Sequence, residues 1–167
     1  MSLKKINIKQ LSFNPFTKIG KEWMLITSGD AEKHNTMTAS WGGVGILWGK
    51  SVATVYIRPQ RYTFEFVEKN SYYSLCFFDE SHRAALNFCG SKSGRNFDKA
   101  KETGLTPNFS ELAPYYEEAD IVFICKKLYR QDLDKAAFIS EEIPDTIYPT
   151  GDFHRIYIGE IVEVLKR

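Results

Sequence analysis

Two arginines and a threonine surround Pro59, where an apolar run gives way to helix-forming residues. Arg58 and Arg61 follow the run that ends at Ile57, and Thr63 opens the expected helix. Guanidinium groups hold phosphate through paired hydrogen bonds, and the first amides of a helix add further donors. The segment is therefore a candidate anion site. A solvated turn, whose arginines cover apolar surface, is an alternative of equal weight.

A second cation-rich segment spans residues 90–95, with the sequence Gly-Ser-Lys-Ser-Gly-Arg, and continues to Lys99. Its small residues and its cations suit a loop that wraps a phosphate. The spacing is not that of a P-loop, because no Gly-x-x-x-x-Gly-Lys-[Ser/Thr] pattern is present. Taken alone, the segment is better explained as a mobile charged loop.

The third segment, residues 35–43, reads Asn-Thr-Met-Thr-Ala-Ser-Trp-Gly-Gly. It has the composition of a strand rich in hydroxyls that ends in an aromatic residue and two glycines. Hydroxyls and strand-end amides can hold a polar planar ligand or a phosphate. An edge strand with a polar outer face is the alternative, and composition alone slightly favours it.

Composition and residue spacing exclude several classes of function. The 167 residues carry 22 lysines and arginines against 21 acidic residues, so the net charge of +1 gives no sign of a nucleic-acid surface. No apolar segment is long enough to span a bilayer and no leader peptide is evident, so we expect a soluble cytoplasmic protein. The three cysteines do not form a disulfide framework or a zinc motif.

No catalytic side chain or metal ligand stands out. The three histidines are not spaced as a metal pair, and no serine lies in a Gly-x-Ser-x-Gly elbow. In cofactor enzymes the cofactor performs the difficult step while the protein binds and orients it. The sequence therefore favours a bound cofactor over side-chain catalysis.

The elements that would position these segments are mostly strands. Apolar and β-branched runs predict six strands, over residues 23–27, 36–41, 51–57, 72–78, 121–129 and 156–165. Three short helices are expected at residues 63–69, closed by Asn70, at 80–89, between Asp79 and Gly90, and at 97–103, ended by Gly104. We predict a single domain over residues 1–167, mainly β, with a closed barrel and helices outside it. Residues 135–153 are expected to form an irregular connection that lies over a site.

Taken in order, these segments resemble the flavin reductase-like, FMN-binding split-barrel family, in particular its flavoredoxin-like branch. The matching text covers residues 35–43, then 56–63, then 93–95 with Asp98 and Lys99, and finally 151–154 running into 157–161. Each piece is weak alone, but the ordered set is specific. The match extends from about residue 13 to residue 164.

The resemblance implies an FMN-binding split β-barrel and a homodimer with two FMN sites near the subunit interface. The end of the third segment would meet the flavin ring and ribityl chain, the two cationic segments would surround the phosphate, and residues 153 and 154 would lie near the open side of the ring. The implied cofactor-binding residues are Thr36, Met37, Thr38, Ala39, Ser40, Trp41, Arg58, Arg61, Tyr62, Thr63, Ser91, Lys92, Ser93, Arg95, Lys99, Phe153 and His154.

The implied activity is flavin redox chemistry, with no metal and no nucleic-acid or membrane partner. In one hypothesis NADH or NADPH reduces the flavin, which then passes electrons to a free flavin, an iron complex or a protein. In the other, the protein is a non-enzymatic electron carrier that is reduced by a partner protein. A related split barrel that binds haem is a third possibility. No Gly-x-Gly-x-x-Gly fingerprint is present, so a nicotinamide would have to stack in an open cleft.

Overall fold

The computed structural model describes residues 2–167 and is built on one antiparallel sheet of eight strands. The order of the strands is β3-β2-β6-β9-β10-β5-β4, and β1 adds to β10. A separate two-stranded pair is formed by β7 and β8. The strands are β1 (Lys4–Ile6), β2 (Met24–Gly29), β3 (His34–Ala39), β4 (Gly42–Leu47), β5 (Lys50–Ile57), β6 (Tyr72–Phe77), β7 (Pro107–Asn108), β8 (Tyr115–Tyr116), β9 (Ile121–Asp132) and β10 (Arg155–Lys166).

Short helices lie between these strands. The α-helices are α1 (Pro15–Thr17), α2 (Tyr62–Lys69), α3 (Arg83–Ser91), α4 (Lys99–Thr103) and α5 (Glu142–Ile147). Three-residue 3-10 turns occupy Ile8–Gln10, Glu80–His82 and Lys135–Ala137, and a π-helical turn spans Lys18–Glu22. No helix within residues 2–167 is both long and apolar enough to cross a membrane.

The six predicted strands are present as β2, β3, β5, β6, β9 and β10, but a further long strand lies between two of them. The sequence analysis ends the third segment at Gly42 and Gly43, and this boundary is wrong because both glycines begin β4. This strand pairs with β5 through a two-residue turn at Trp48 and Gly49, whose φ angles of 54° and 70° match the turn type that two-residue hairpins prefer. The glycine-rich text of β4 reads as a turn, and its pairing with β5 overrides that local preference.

The predicted helix ends are partly correct. Asn70 closes α2, and Gly104, at φ 71°, ends α4 in the left-handed conformation. The predicted stop at Gly90 is wrong, because α3 continues to Ser91. A Cβ at Gly90 would lie 3.2 Å from the side chain of Thr38, so this glycine allows α3 to pack closely on β3 and does not end the helix.

Two other helix predictions also need correction. Asp79 caps the 3-10 turn at Glu80–His82, and α3 follows that turn. The third helix begins at Lys99, later than predicted, because the Asp98 side chain caps its first turn. The connection at residues 135–153 is not wholly irregular, since it contains α5, with Pro144 in the first turn, where a missing N–H costs no helical bond.

The sheet buries side chains on both of its faces. Along β2, Met24 and Ile26 belong to one buried cluster while Leu25 belongs to another, which α3 and the β8 region cover. This explains why the strand reads as a continuous apolar run and does not alternate. Phe77 and Phe123 pack edge to face within the first cluster.

Strand β3 is the element that positions the site. Within residues 2–167 it pairs only with β2, so its other edge is free of sheet hydrogen bonds. Helices α2 and α3 both contact β3, and their ends lie beside that edge. Loop segments that follow β5 and α3 are thereby brought to one place.

Candidate functional site

A cleft of about 230 Å³ lies at the end of β3, and we call it the strand-end cleft. It is lined by Met37, Thr38, Ala39, Ser40, Trp41, Tyr56, Arg58, Arg61 and His154. Consecutive residues 37–41 form one wall, and the other walls come from β5, from the segment after it and from the start of β10. The lining combines apolar side chains with a few polar groups, as is typical of sites for flat organic ligands.

A second pocket, of about 210 Å³, adjoins the first, and we call it the cation pocket. It is lined by Asn35, Met37, Gln60, Arg61, Tyr62, Thr63, Ser91, Lys92, Ser93, Gly94 and Lys99. Met37 and Arg61 line both cavities, so the two form one continuous site. The three cations in this lining face no acidic lining residue, which makes the pocket suitable for an anion.

Arg61 lies at the junction of the two cavities. It is the N-cap residue of α2, and its guanidinium donates a 3.1 Å hydrogen bond to the carbonyl of Gly90. No carboxylate of residues 2–167 lies within salt-bridge distance of it, and burial lowers its pKa. A half-buried cation without a counter-ion is costly, and an anionic ligand would remove that cost.

Lys99 is the most buried cation of the site, with 6% of the residue exposed. Its ammonium group donates to the carbonyls of Thr36, at 2.7 Å, and Cys89, at 2.8 Å. Burial and the nearby charge of Arg61 lower its pKa to about 8. Two of its three protons are thus used by the protein, and the third remains for a ligand.

Asn35 fixes the floor of the cation pocket. Its amide donates a 2.9 Å hydrogen bond to the hydroxyl of Thr63, which is itself buried. On the other side a Cβ at Gly94 would lie only 1.9 Å from Asn35 Oδ1, so that loop position requires glycine. The β3 strand, the start of α2 and the 91–95 loop are locked together at this point.

Arg58 has a different environment from Arg61. Its guanidinium forms an ion pair with Asp152, donates 3.0 Å to the carbonyl of Ile147 and lies over the ring of Tyr148. The Arg58 hydrogen bond lowers the pKa of Asp152. Arg58 lines the strand-end cleft but not the cation pocket, so it holds the 147–152 segment against the cleft.

His154 closes one side of the strand-end cleft. Its Nδ1 is 2.7 Å from the Tyr148 hydroxyl, and its ring centroid is 5.3 Å from that of Trp41. Burial and the positive charge of Arg58 lower its pKa to about 4, so the imidazole is neutral at pH 7. A neutral imidazole fixed by a hydroxyl can present its Nε2 to a ligand without adding charge.

The structure brings most of the predicted residues together, with three exceptions. Thr36 is buried and its hydroxyl contacts Thr27 and the carbonyl of Ile26, so it lines neither cavity. Arg95 pairs with Glu65 and faces a larger neighbouring cavity of about 510 Å³. Phe153 packs on Phe138 and Tyr148, outside the cleft.

Several lining or supporting residues are absent from the sequence prediction. Tyr56 lines the cleft because it follows the outward parity of β5, a signal that strand alternation could have given. Asn35 could have been found as a polar residue at the buried start of β3. The roles of Tyr148 and Asp152 depend on contacts across about 90 residues of chain, from Arg58, and no local pattern predicts them.

The arrangement fits a flavin mononucleotide on the basis of its own chemistry. The unpaired cations Arg61 and Lys99 suit the phosphate, while the apolar wall at residues 37–41 suits a flat ring. When bound, FMN would supply the redox chemistry, and these residues would bind and orient it. Within residues 2–167 no group of three or more His, Cys, Asp or Glu side chains could hold a metal ion.

Comparison with known proteins agrees with this geometry. Residues 16–167 match the model of the flavin reductase like domain. No curated protein matches the chain.

Among solved structures, flavoredoxin from Methanosarcina acetivorans superposes with a TM-score of 0.68 at 20% identity, covering 98% of this chain and 76% of that one. An FMN-binding domain of a flavin reductases-like enzyme from Shewanella baltica OS155 gives 0.70 at 13% identity, over 98% and 76%. An NADH:FAD oxidoreductase from Streptomyces globisporus, solved with NAD and FAD fragments, gives 0.64 at 13% identity, over 87% and 74%. These similarities confirm the predicted fold class, a mainly β split barrel with short peripheral helices. Because the family model covers nearly the whole chain, the protein belongs to the flavin reductase-like family.

Proposed function

We propose that the protein is an FMN-binding flavin oxidoreductase. The observation that carries this proposal is the continuity of the strand-end cleft with the cation pocket, through Met37 and Arg61. A ligand that extends from a flat ring to a dianionic phosphate matches this combination. FMN has this shape, and riboflavin lacks the charged end.

The contacts support one orientation of the cofactor. The phosphate would lie against Arg61, Lys99 and the 91–94 loop, and the ring would lie along residues 37–41. Backbone groups on the free edge of β3 remain available to the polar edge of the ring. His154 would then lie beside the ring, where its neutral state avoids a positive charge next to oxidised flavin.

An absorption spectrum of the protein as purified tests the cofactor directly. We expect the visible bands of a flavin, and chromatography of the cofactor released on denaturation should give FMN. A Soret band would support the haem-binding alternative, and released FAD would contradict the assignment of FMN.

The electron donor separates two versions of the proposal. As an enzyme, the protein would be reduced by NADH or NADPH and would pass electrons to a flavin, an iron complex or a protein. Mixing the FMN-loaded protein anaerobically with each nicotinamide should bleach the visible flavin band. If neither bleaches it and a ferredoxin-like protein does, the protein is a non-enzymatic electron carrier.

We also propose that the protein works as a cytoplasmic homodimer. Its three cysteines are free and buried, as expected in a reducing compartment. Large apolar side chains are exposed along the β4–β5 hairpin, where Ile46 is 74% and Trp48 58% exposed. A patch of this kind is typical of a protein–protein interface.

A further inference from the structure

A separate apolar pocket of about 440 Å³ adjoins the strand-end cleft. It lies between the N-terminal segment at residues 15–20 and residues 40–44, which lead into β4. Ser40 and Trp41 line both this pocket and the strand-end cleft. A compound bound here is therefore separated from the cleft by no more than the Ser40–Trp41 segment.

The lining of this apolar pocket carries no charge. All nine lining residues belong to the described part of the chain, and Ser40 is the polar side chain among them. Phe16, with 88% of its surface exposed, and Trp41 offer two aromatic surfaces. The nearby charges of Lys18 and Glu22 pair with each other at 2.5 Å. A phosphate-bearing ligand such as a nicotinamide dinucleotide would find no partner here.

Glycines leave the pocket open. A Cβ built on Gly20 or on Gly43 would meet no atom within 4 Å, so space at these positions is not filled by the protein itself. Apolar cavities of a few hundred cubic ångströms that are lined by aromatic side chains are typical sites for small organic molecules.

We propose that this apolar pocket binds a small uncharged ring compound of the quinone class, and that this compound is the electron acceptor of the site. The inference rests on the proposed flavin function for its redox part. The quinone would take two electrons and two hydrogens from the fully reduced flavin, which leaves oxidised flavin and the hydroquinone. Uncharged aromatic lining, pocket size and the wall shared with the strand-end cleft all favour such an acceptor over a charged one.

Binding can be measured without turnover, by isothermal titration calorimetry of menadione into the apo-protein and into the FMN-loaded protein. Gly43→Leu should weaken menadione binding by about tenfold or more, because the new side chain occupies the pocket. Gly45→Leu is the matched control: this glycine lies two residues along β4, also has open space around it and lines no part of the pocket, so menadione binding should stay within about twofold of wild type. Naphthoquinone sulfonate, which is charged, should bind wild type about tenfold more weakly than menadione.

A second variant keeps the test valid if Gly43→Leu fails to fold. Phe16→Asp changes an exposed side chain and should also weaken menadione binding by about tenfold, with FMN affinity within about twofold of wild type. Equal menadione binding by wild type, Gly43→Leu and Phe16→Asp would overturn the proposal. Light scattering that shows a wild-type dimer and a Gly43→Leu monomer would also overturn it, because a second copy of the chain would then cover the pocket. Absence of FMN binding by wild type would contradict the proposed flavin function and leave the menadione titration of the apo-protein interpretable.

Discussion

Arg58 and Arg61 are three residues apart, and their environments differ. Arg58 is paired with Asp152, so its charge is used to hold the 147–152 segment. Arg61 donates to one carbonyl and has no carboxylate partner among residues 2–167. Burial lowers its pKa, which means that the folded protein holds this charge at a cost. The expectation that both arginines surround the phosphate is therefore better supported for Arg61.

The first prediction concerns Arg61→Ala. FMN affinity should fall by about 1.5–3 kcal/mol, the range for a hydrogen bond to a charged group, and riboflavin affinity should barely change. Fluorescence titration of apo-protein with both ligands gives the result. Arg95→Ala is the matched control, since Arg95 pairs with Glu65 outside the cation pocket, and it should change FMN affinity less than threefold. Equal losses for FMN and riboflavin would mean that Arg61 shapes the whole pocket.

The second prediction is a pH dependence that originates at Lys99. In the ligand-free protein the pKa of Lys99 is lowered to about 8, and a bound phosphate dianion would raise it. Binding then takes up a proton above pH 8, so FMN affinity should fall by up to about tenfold per pH unit there and stay level between about pH 7 and 8. Riboflavin affinity should not change over the same range. Lys99→Met should abolish the slope, and a slope that persists in this variant would assign it to another group.

The stability of the apo-protein should respond to the same group with the opposite sign. Because the folded-state pKa of Lys99 is lowered, the unfolded chain binds more protons between about pH 8 and 10. The contribution of Lys99 to the free energy of unfolding therefore rises with pH in this window. Affinity for FMN and stability of the apo-protein would move in opposite directions, which separates a ligand effect from general alkaline unfolding.

At the scale of elements, the site is an intersection of β3 with two helices and one loop. The Asn35 amide holds Thr63 at the start of α2, and Gly94 of the loop packs on the same amide. Thr38 donates to the carbonyl of Leu86 in α3, and Lys99 at the start of α4 donates to Thr36. These contacts place the cation pocket before any ligand binds, so ligand binding costs little ordering.

The third prediction tests this intersection with Gly94→Ala. The new Cβ would overlap Asn35 Oδ1, so either the 91–95 loop or the Asn35–Thr63 hydrogen bond must move. We expect a loss of about 1–3 kcal/mol in the free energy of unfolding and weaker FMN binding. Gly45→Ala, where a Cβ meets nothing within 4 Å, is the control and should leave both unchanged. Chemical denaturation and FMN titration of the three proteins check this, and a Gly94→Ala protein with wild-type values would show that the loop yields freely.

The elements that sequence could predict are those whose burial dictates their composition. Strands β2, β5, β6, β9 and β10 carry long apolar or alternating runs, and all of these were predictable. Strand β4 was not, because only its pairing with β5 makes a strand of a glycine-rich segment. The run-on of α3 through Gly90 was hidden for a similar reason, since the close approach of Thr38 is a tertiary contact.

At the scale of the molecule, the same limit applies to the site. Residues 37–41 and the cations at 61, 92 and 99 could be predicted from their types and order, and the structure brings them to one continuous site. The contacts that set Arg58, Arg95 and Phe153 apart involve side chains far away in sequence, at 152, 65 and 138. Such partners follow from strand order and register, which local composition does not encode.

The assembly of the molecule yields the fourth prediction, through Trp48 at the tip of the β4–β5 hairpin. Its φ of 54° is unfavourable for a bulky residue, and asparagine suits that turn position far better. In one chain Trp48 gains only an edge contact with Tyr129, at 6.4 Å between ring centroids. A tryptophan kept at such a position is explained if it packs against a second copy of the chain.

Trp48→Asn should therefore weaken dimerisation without weakening the fold. The relieved turn strain and the lost Tyr129 contact are of similar size, so the free energy of unfolding of the monomer should change by less than about 1 kcal/mol. Loss of a buried interface tryptophan should cost about 2 kcal/mol or more in association, a dissociation constant raised more than tenfold. Sedimentation equilibrium at micromolar concentration measures it, with Leu112→Asn, which changes an exposed apolar residue on another part of the surface, as the control. A monomeric wild-type protein would refute the homodimer itself, and an unchanged dissociation constant in Trp48→Asn would place the interface elsewhere than the hairpin tip.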